Sequence, residues 1–360
     1  MKLTQKLLVG AVASLFATVG MAKGTLVYCS EGSPAGFDSA QYTAGTDFDA
    51  SSYNVFNGLV DFPRGESKAA PSLAESWDVS PDGLTYTFHL RKGVKFHTTK
   101  YFKPTRDFNA DDVVWTFERL ANKDFPFNKA YRVAFPYYSD MGLDTTIKSV
   151  EKVDDYTVKF NLNKVDASFI QTLAMAIASI QSKEYGDQLL AQGKAEMINQ
   201  QPIGTGPFQF ERYQKDAFIR YKANKDYWDK EDGPKVDNLI FAITKDASVR
   251  YQKLKAGECH IMAYPLPADV DSMKKDPSLQ VITSPGFNVG SLYYNTEKAP
   301  FDKAEVRQAL DYALNKPAII KAVYGGEGEQ AVNPIPPTQW SYNKDIKARE
   351  QNIEKAKELL

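Results

Sequence analysis

Between Trp77 and Leu120 the hydrophobic period of the chain switches from two residues to about 3.6, a change that asks for strands and helices packed on one another. In Thr85–Leu90 the apolar Tyr86, Phe88 and Leu90 alternate with Thr85, Thr87 and His89, as in a strand with one buried face. Trp77–Val79 precedes this run across Pro81-Asp82-Gly83, so a hairpin is expected, with His89 on the outward face. Ala110–Leu120 instead lays Val113, Val114, Phe117 and Leu120 along a helical stripe. Asn109 suits its N-cap, and Asp111 and Asp112 suit the positive end of the helix dipole, which accounts for these paired carboxylates without a catalytic role.

The same alternation recurs along the chain. A strand is expected at Leu26–Cys29, and a strand–turn–strand across Val153–Leu162 puts Tyr156, Val158 and Phe160 on one face. Gly204-Thr205-Gly206-Pro207 reads as a tight turn into a strand at Phe208–Tyr213, because it lacks the lysine and helix start of a phosphate-binding loop. A helix capped by Asp246 ends near Ala256 with Gly257 as its left-handed stop, and the next strand carries Cys259. Asp302 and Glu305 have capping-box spacing ahead of a helix running from about Lys303 to Leu314, and Asn315 opens another that stops at Gly325-Gly326. The fold class expected is α/β.

At the N-terminus Lys2 and Lys6 precede the apolar run Leu7–Val19, with Gly20 and Ala22 at small-residue positions. These are the parts of a secretory signal peptide, residues 1–22, cut between Ala22 and Lys23. The run is short for a bilayer span, and no later stretch reaches such a length without charges. Tyr28 before Cys29 argues against a lipid anchor there. In an oxidising compartment the pair Cys29 and Cys259 favours a disulfide; two buried thiols are the alternative. The net charge of -1 gives no support for a nucleic-acid partner, which would want a clustered basic face.

Enzyme signatures are missing: there is no G-x-S-x-G elbow, no H-E-x-x-H and no complete dinucleotide-binding glycine motif. Cys259 and His260 are adjacent, while His89 and His97 lie far off without ligand spacing, so neither a metal nor another cofactor is expected. On these grounds an enzyme is not expected, a secreted hydrolase being the alternative.

AESWDVSPDGLTYTFHLRKGVKFH (Ala74–His97) followed by FNADDVVWTFERL (Phe108–Leu120) resembles the family 5 extracellular solute-binding proteins, the peptide and nickel group. PIGTGPFQF from Pro202, DASVRYQKLKAGECHI from Asp246 and VRQALDYALNKPAIIKAVYGG from Val306 match the same family in the same order. LVYCSEGSP from Leu26, YTAGT at Tyr42–Thr46 and PIPP at Pro334–Pro337 are similar to its dipeptide-binding branch.

The resemblance implies a two-lobed periplasmic-binding-protein fold that encloses ligand by hinge closure. Lobe I would span residues 23–285, with an inserted subdomain at about 57–201. Lobe II would start near Gly286, where PGFNVG enters a strand, and residues 286–360 would be only its beginning, since the chain stops inside NIEKAKELL. The charged groups that grip a peptide's ends are expected beyond Leu360. The implied function is periplasmic capture of dipeptides or short peptides, by a monomer, for the membrane permease subunits of an ABC transporter. Haem and longer peptides are the alternative cargos. Of the residues present, Thr43 in YTAGT matches a ligand-contacting position, where a hydroxyl can bond a peptide main chain; a turn threonine is the other reading. Phe135, Tyr137 and Tyr138 match a loop that could wall a side-chain pocket, core packing being the alternative.

Overall fold

The computed structural model describes residues 24–66, 68–284, 286–339 and 341–360; the expected leader lies outside the described residues. Contacts divide the chain into two compact units, the first ending at Ala263 and the second spanning Tyr264–Leu360.

The strands of the first unit are β1 (Thr25–Ser30), β2 (Val60–Asp61), β3 (Ala70–Pro71), β4 (Ala74–Val79), β5 (Thr85–Leu90), β6 (Ile147–Asp154), β7 (Thr157–Leu162), β8 (Phe208–Gln214), β9 (Phe218–Ala223), β10 (Asn238–Ile243) and β11 (Ile261–Met262). Its helices are α1 (Gly45–Ala50), α2 (Ser52–Val55), α3 (Ala110–Ala121), α4 (Pro126–Ala130), α5 (Pro136–Asp140), α6 (Leu143–Thr146), α7 (Phe169–Leu173), α8 (Lys183–Ala191) and α9 (Ala247–Lys255).

One sheet has the order β11-β1-β10-β9-β8, with β1 parallel to both neighbours and β10, β9 and β8 antiparallel in turn. Phe37, Val55, Phe210, Ile219, Tyr221 and Phe241 form the core against it. The second sheet is antiparallel throughout, in the order β4-β5-β7-β6. The β4–β5 hairpin forms as expected: Gly83 takes φ +71, and burial along β5 alternates with Tyr86, Phe88 and Leu90 inward and His89 exposed. Helix α3 covers this sheet, and the Phe117 ring meets Phe160 edge-on with centroids 4.8 Å apart. Fully burying a side chain such as Phe88, Phe117 or Phe160 is worth about 1.5–3 kcal/mol, so this layer contributes several kcal/mol of stability.

The carboxylates at the head of α3 have the structural role expected of them, and Asp112 has more than that. Asn109 and Asp112 form a reciprocal capping box. The Asp112 carboxylate also accepts from Arg106 Nη1 and Nη2 at 2.7 and 2.9 Å and from the Lys183 amide at 2.8 Å, which ties α3 to α8.

The cysteines are joined, with Cα atoms 5.8 Å apart across a separation of 230 residues. Cys259 itself is not in a strand, contrary to the sequence expectation. The amides of Glu258 and Cys259 still donate to the Lys253 carbonyl at the end of α9, so the chain joins β1 only from His260, whose amide donates to the Val27 carbonyl.

The second unit contains α10 (Pro267–Lys275), α11 (Ala304–Ala313), α12 (Lys316–Tyr324) and α13 (Ile353–Leu359). Asn315 caps α12 and Gly325 ends it at φ +62, as expected. The expected capping box on α11 does not form. The Asp302 amide bonds back to the Lys298 carbonyl inside the preceding turn, which leaves Lys303 as N-cap with no side-chain bond. The strand expected from Gly286 is also not found: the described residues from 286 to 295 form no ladder, and a strand needs a hydrogen-bonded neighbour to persist. Helices α11 and α13 pack together, joined by Asn352 N to Tyr312 O and by Arg349 to Asp311.

Candidate functional site

Thr43 lies in the loop that leads from β1 into α1, and its neighbours are held tightly. The amides of Phe37 and Asp38 both donate to Asn199 Oδ1, at 2.9 and 3.0 Å, while Asn199 Nδ2 donates to the Tyr42 hydroxyl at 2.8 Å. Gly36 is obligatory here, because a Cβ would overlap the Asn199 amide. On the far side, the buried Asp47 carboxylate accepts from the Ala35 amide at 2.6 Å, and burial raises its pKa despite that bond. Between these anchors Thr43 is exposed, and its hydroxyl makes no hydrogen bond among the described residues.

The aromatic segment folds into α5, with Phe135 as N-cap and Pro136 in the first helical position, where no amide is needed. Tyr137 is half-buried, and its ring lies 6.1 Å from that of Phe48 on α1. The structure therefore brings Tyr137 to the helix that Thr43 precedes. Tyr138 points the other way. It is 5% exposed within the main core, and burial, followed by the charges of Asp144 and Glu118, raises its hydroxyl pKa. Phe135 and Tyr137 pack against the same core but are only half-buried, so part of each ring stays open.

A buried ion pair beneath this wall had no signal in the sequence. Arg119 on α3 grips Asp38 with two nitrogens; the side chains are 2% and 0% exposed. Gln181 bridges the pair, accepting from Arg119 Nη1 at 2.9 Å and donating to Asp38 Oδ1 at 2.9 Å. Gln41 Nε2 donates to Asp38 Oδ2 at 2.7 Å and to the Tyr131 hydroxyl at 3.3 Å. The guanidinium carbon lies 5.3 Å from the Phe127 ring centre and 5.0 Å from that of Phe135. Burial alone would raise the Asp38 carboxyl, but the Arg119 charge and the hydrogen bonds outweigh it and hold the pKa below its ordinary value. Asp38 and Arg119 are 81 residues apart, so neither periodicity nor spacing relates them.

Two hollows of the first unit lie elsewhere. One of about 400 Å³ is lined by Asn224, Lys225, Tyr227 and Lys235 among others, and one of about 280 Å³ by Val114, Trp115, Phe125 and Phe127 among others. Neither includes Thr43, Phe135, Tyr137 or Tyr138. Among the described residues no cluster of His, Cys, Asp and Glu could hold a metal ion, and no helix is long and apolar enough to cross a membrane.

Comparison with known proteins gives this geometry a lineage. Residues 68–360 match the model of the bacterial extracellular solute-binding proteins, family 5. The chain belongs to that family. It is 64% identical over 353 residues to di/tripeptide-binding protein 1 of Pseudomonas aeruginosa, an overlap of 98% of this chain and 64% of the relative. Haemophilus influenzae heme-binding protein A is 50% identical over 336 residues, 93% of this chain and 61% of the relative. Among solved structures, the dipeptide-binding protein of Pseudoalteromonas sp. SM9913 in complex with Met-Leu superimposes with a TM-score of 0.86 at 35% identity, covering 93% of this chain and 66% of that one. The fold is thus that of the periplasmic binding proteins, as the resemblance implied. The chain spans a little under two thirds of the length of the first of these relatives.

Proposed function

We propose that this chain is the cargo-binding component of an exported uptake system, taking dipeptides and tripeptides and passing them unaltered to the membrane permease of an ABC transporter. The observation that carries this reading is the 64% identity, over 98% of the chain, to a relative named for di- and tripeptide binding. The geometry agrees. The free Thr43 hydroxyl suits a peptide main chain, which is common to all peptides, while Tyr137 and Phe135 offer apolar surface to side chains without demanding one in particular. Tyr138 belongs to this proposal as the support of the segment. Lobes at residues 23–285 and 286–360, with an inserted subdomain at about 57–201, remain part of the same reading.

Export to the periplasm is supported by the charged and apolar N-terminal residues and by the Cys29–Cys259 bridge. N-terminal sequencing of exported protein should begin at Lys23; a retained Met1 would refute the cleavage.

Haem is the second cargo, favoured by the relative named for heme binding. Calorimetry with Met-Leu, a tripeptide, a nonapeptide and haem separates these readings. Saturable one-to-one binding of Met-Leu, recovered intact, is expected. Binding of haem alone would replace the peptide reading, and recovery of free Met and Leu would show a hydrolase. Thr43→Val should weaken Met-Leu binding by about 0.5–1.5 kcal/mol, the net value of one hydrogen bond, with little change in stability. Unchanged affinity would return Thr43 to the role of a turn residue.

A further inference from the structure

We propose that the buried Asp38–Arg119 pair is a positioning device for ligand binding, setting the Thr43 loop and the Phe135–Tyr137 face in one fixed geometry. The proposal rests on the peptide reading for what the wall receives, but not for how the wall is held.

Three observations carry it. First, the pair bonds or stacks on both wall segments at once. Asp38 opens the loop that runs to Thr43, and Gln41 ties that loop to Asp38 and to Tyr131. Arg119 holds Asp38 through its nitrogens, and its guanidinium carbon lies over the Phe135 ring, 5.0 Å from the ring centre. Second, the charges sit where a core would ordinarily be apolar, and Arg119 Nε is left without a hydrogen-bond partner. Replacing a buried ion pair with apolar side chains of similar volume is often neutral or stabilising, so the pair needs a reason other than stability. Third, the guanidinium geometry fits positioning. A planar fork can take a carboxylate bidentately and still attract aromatic rings, and here the guanidinium carbon lies within 5.3 Å of the Phe127 and Phe135 ring centres. Lysine offers neither the fork nor the flat face. A wall held in its receiving geometry loses less conformational freedom when ligand arrives, and affinity rises by that saving.

Arg119→Lys, Phe135→Leu, Phe135→Tyr and the double variant Arg119→Lys/Phe135→Leu test this in the native, disulfide-bonded protein at a temperature where each is folded. The first arm uses no ligand. Amide hydrogen exchange should quicken in residues 38–44 and 131–138 together in Arg119→Lys and in Phe135→Leu, and stay unchanged in β4–β7. The second arm is calorimetry with Met-Leu. Each of these two variants should bind about fivefold to tenfold more weakly, and the double variant no more weakly than the worse single one, because both break the same link. Phe135→Tyr keeps a ring beside the guanidinium, so exchange in residues 38–44 and 131–138 should stay at the wild-type rate. If Arg119→Lys is too unstable to purify, Phe135→Leu against Phe135→Tyr carries the exchange arm. Unchanged exchange in the two segments, or losses of affinity that simply add, would overturn the proposal. Loosened segments in a protein whose wild type binds haem and not Met-Leu would support the positioning role while overturning the peptide reading.

Discussion

His97 should make the first unit acid-sensitive by an amount that the structure sets. Its ring is 1% exposed, Nε2 donates to the Gly206 carbonyl at 2.8 Å, and Nδ1 has no partner. Burial pushes the pKa from 6.5 down to about 4, against the smaller upward pull of the Gly206 bond. The folded protein therefore keeps His97 neutral until about pH 4, whereas the unfolded chain takes up a proton below 6.5. Between those values the unfolded state binds more protons, so stability falls as pH falls. Linkage puts the loss at about 2 kcal/mol between pH 7 and pH 5, and about 3 kcal/mol by pH 4. Asp49 titrates in the same range in the opposite sense, since burial and then the Glu31 charge raise it to about 6, so the raw pH profile mixes the two. His97→Gln separates them: glutamine can still donate to Gly206 but takes up no proton. Urea unfolding of both proteins at pH 7, 6 and 5 reads the difference. The variant should start lower at pH 7, through lost packing, yet lose about 2 kcal/mol less than wild type on going to pH 5. Parallel profiles would refute the assignment of a neutral buried imidazole.

Three further outcomes follow from the packing. Thiol titration of unfolded, unreduced protein should find no free cysteine, and Cys29→Ser/Cys259→Ser should lose up to about 5 kcal/mol of stability in denaturant unfolding, the upper end for a long closed loop. Gly186→Ala puts a Cβ into the Trp115 ring, so overpacking should cost about 1–3 kcal/mol in the same assay. Asn109→Ala removes the α3 cap and should cost about 1 kcal/mol, read as a shift in the urea midpoint with an unchanged slope.

The parts of the fold that local chemistry decides could be read from the chain. The β4–β5 hairpin, α3 with its Asn109 cap, and α12 between Asn315 and Gly325 each depend on residues within a few positions of one another. What depended on distant partners was not legible. Asp38, Gln181 and Asn199 are ordinary polar residues until the fold brings them together around Arg119 and the Thr43 loop. Cys259 looked like part of a strand because it follows the Gly257 helix stop, but the end of α9 claims its amide first. The paired face of Tyr137 and Tyr138 could not be divided from sequence either. On a short helix adjacent residues diverge, and the contacts with Phe48 and with the core decide which faces out.

The placement of β1 also governs the order in which the first unit can assemble. Its two parallel neighbours are β10, which pairs Leu26 with Leu239, and β11, which pairs Cys29 with Met262. Both are made more than two hundred residues after it, whereas β4–β5 and β6–β7 are hairpins and β5 meets β7 across residues 91–156, all within residues 74–162. A chain emerging from its N-terminus can thus complete the sheet of the subdomain while β1 still has neither edge covered. Loop-closure entropy opposes this late parallel pairing, which the Cys29–Cys259 bridge spans. Until then the apolar face of β1 lacks its partners.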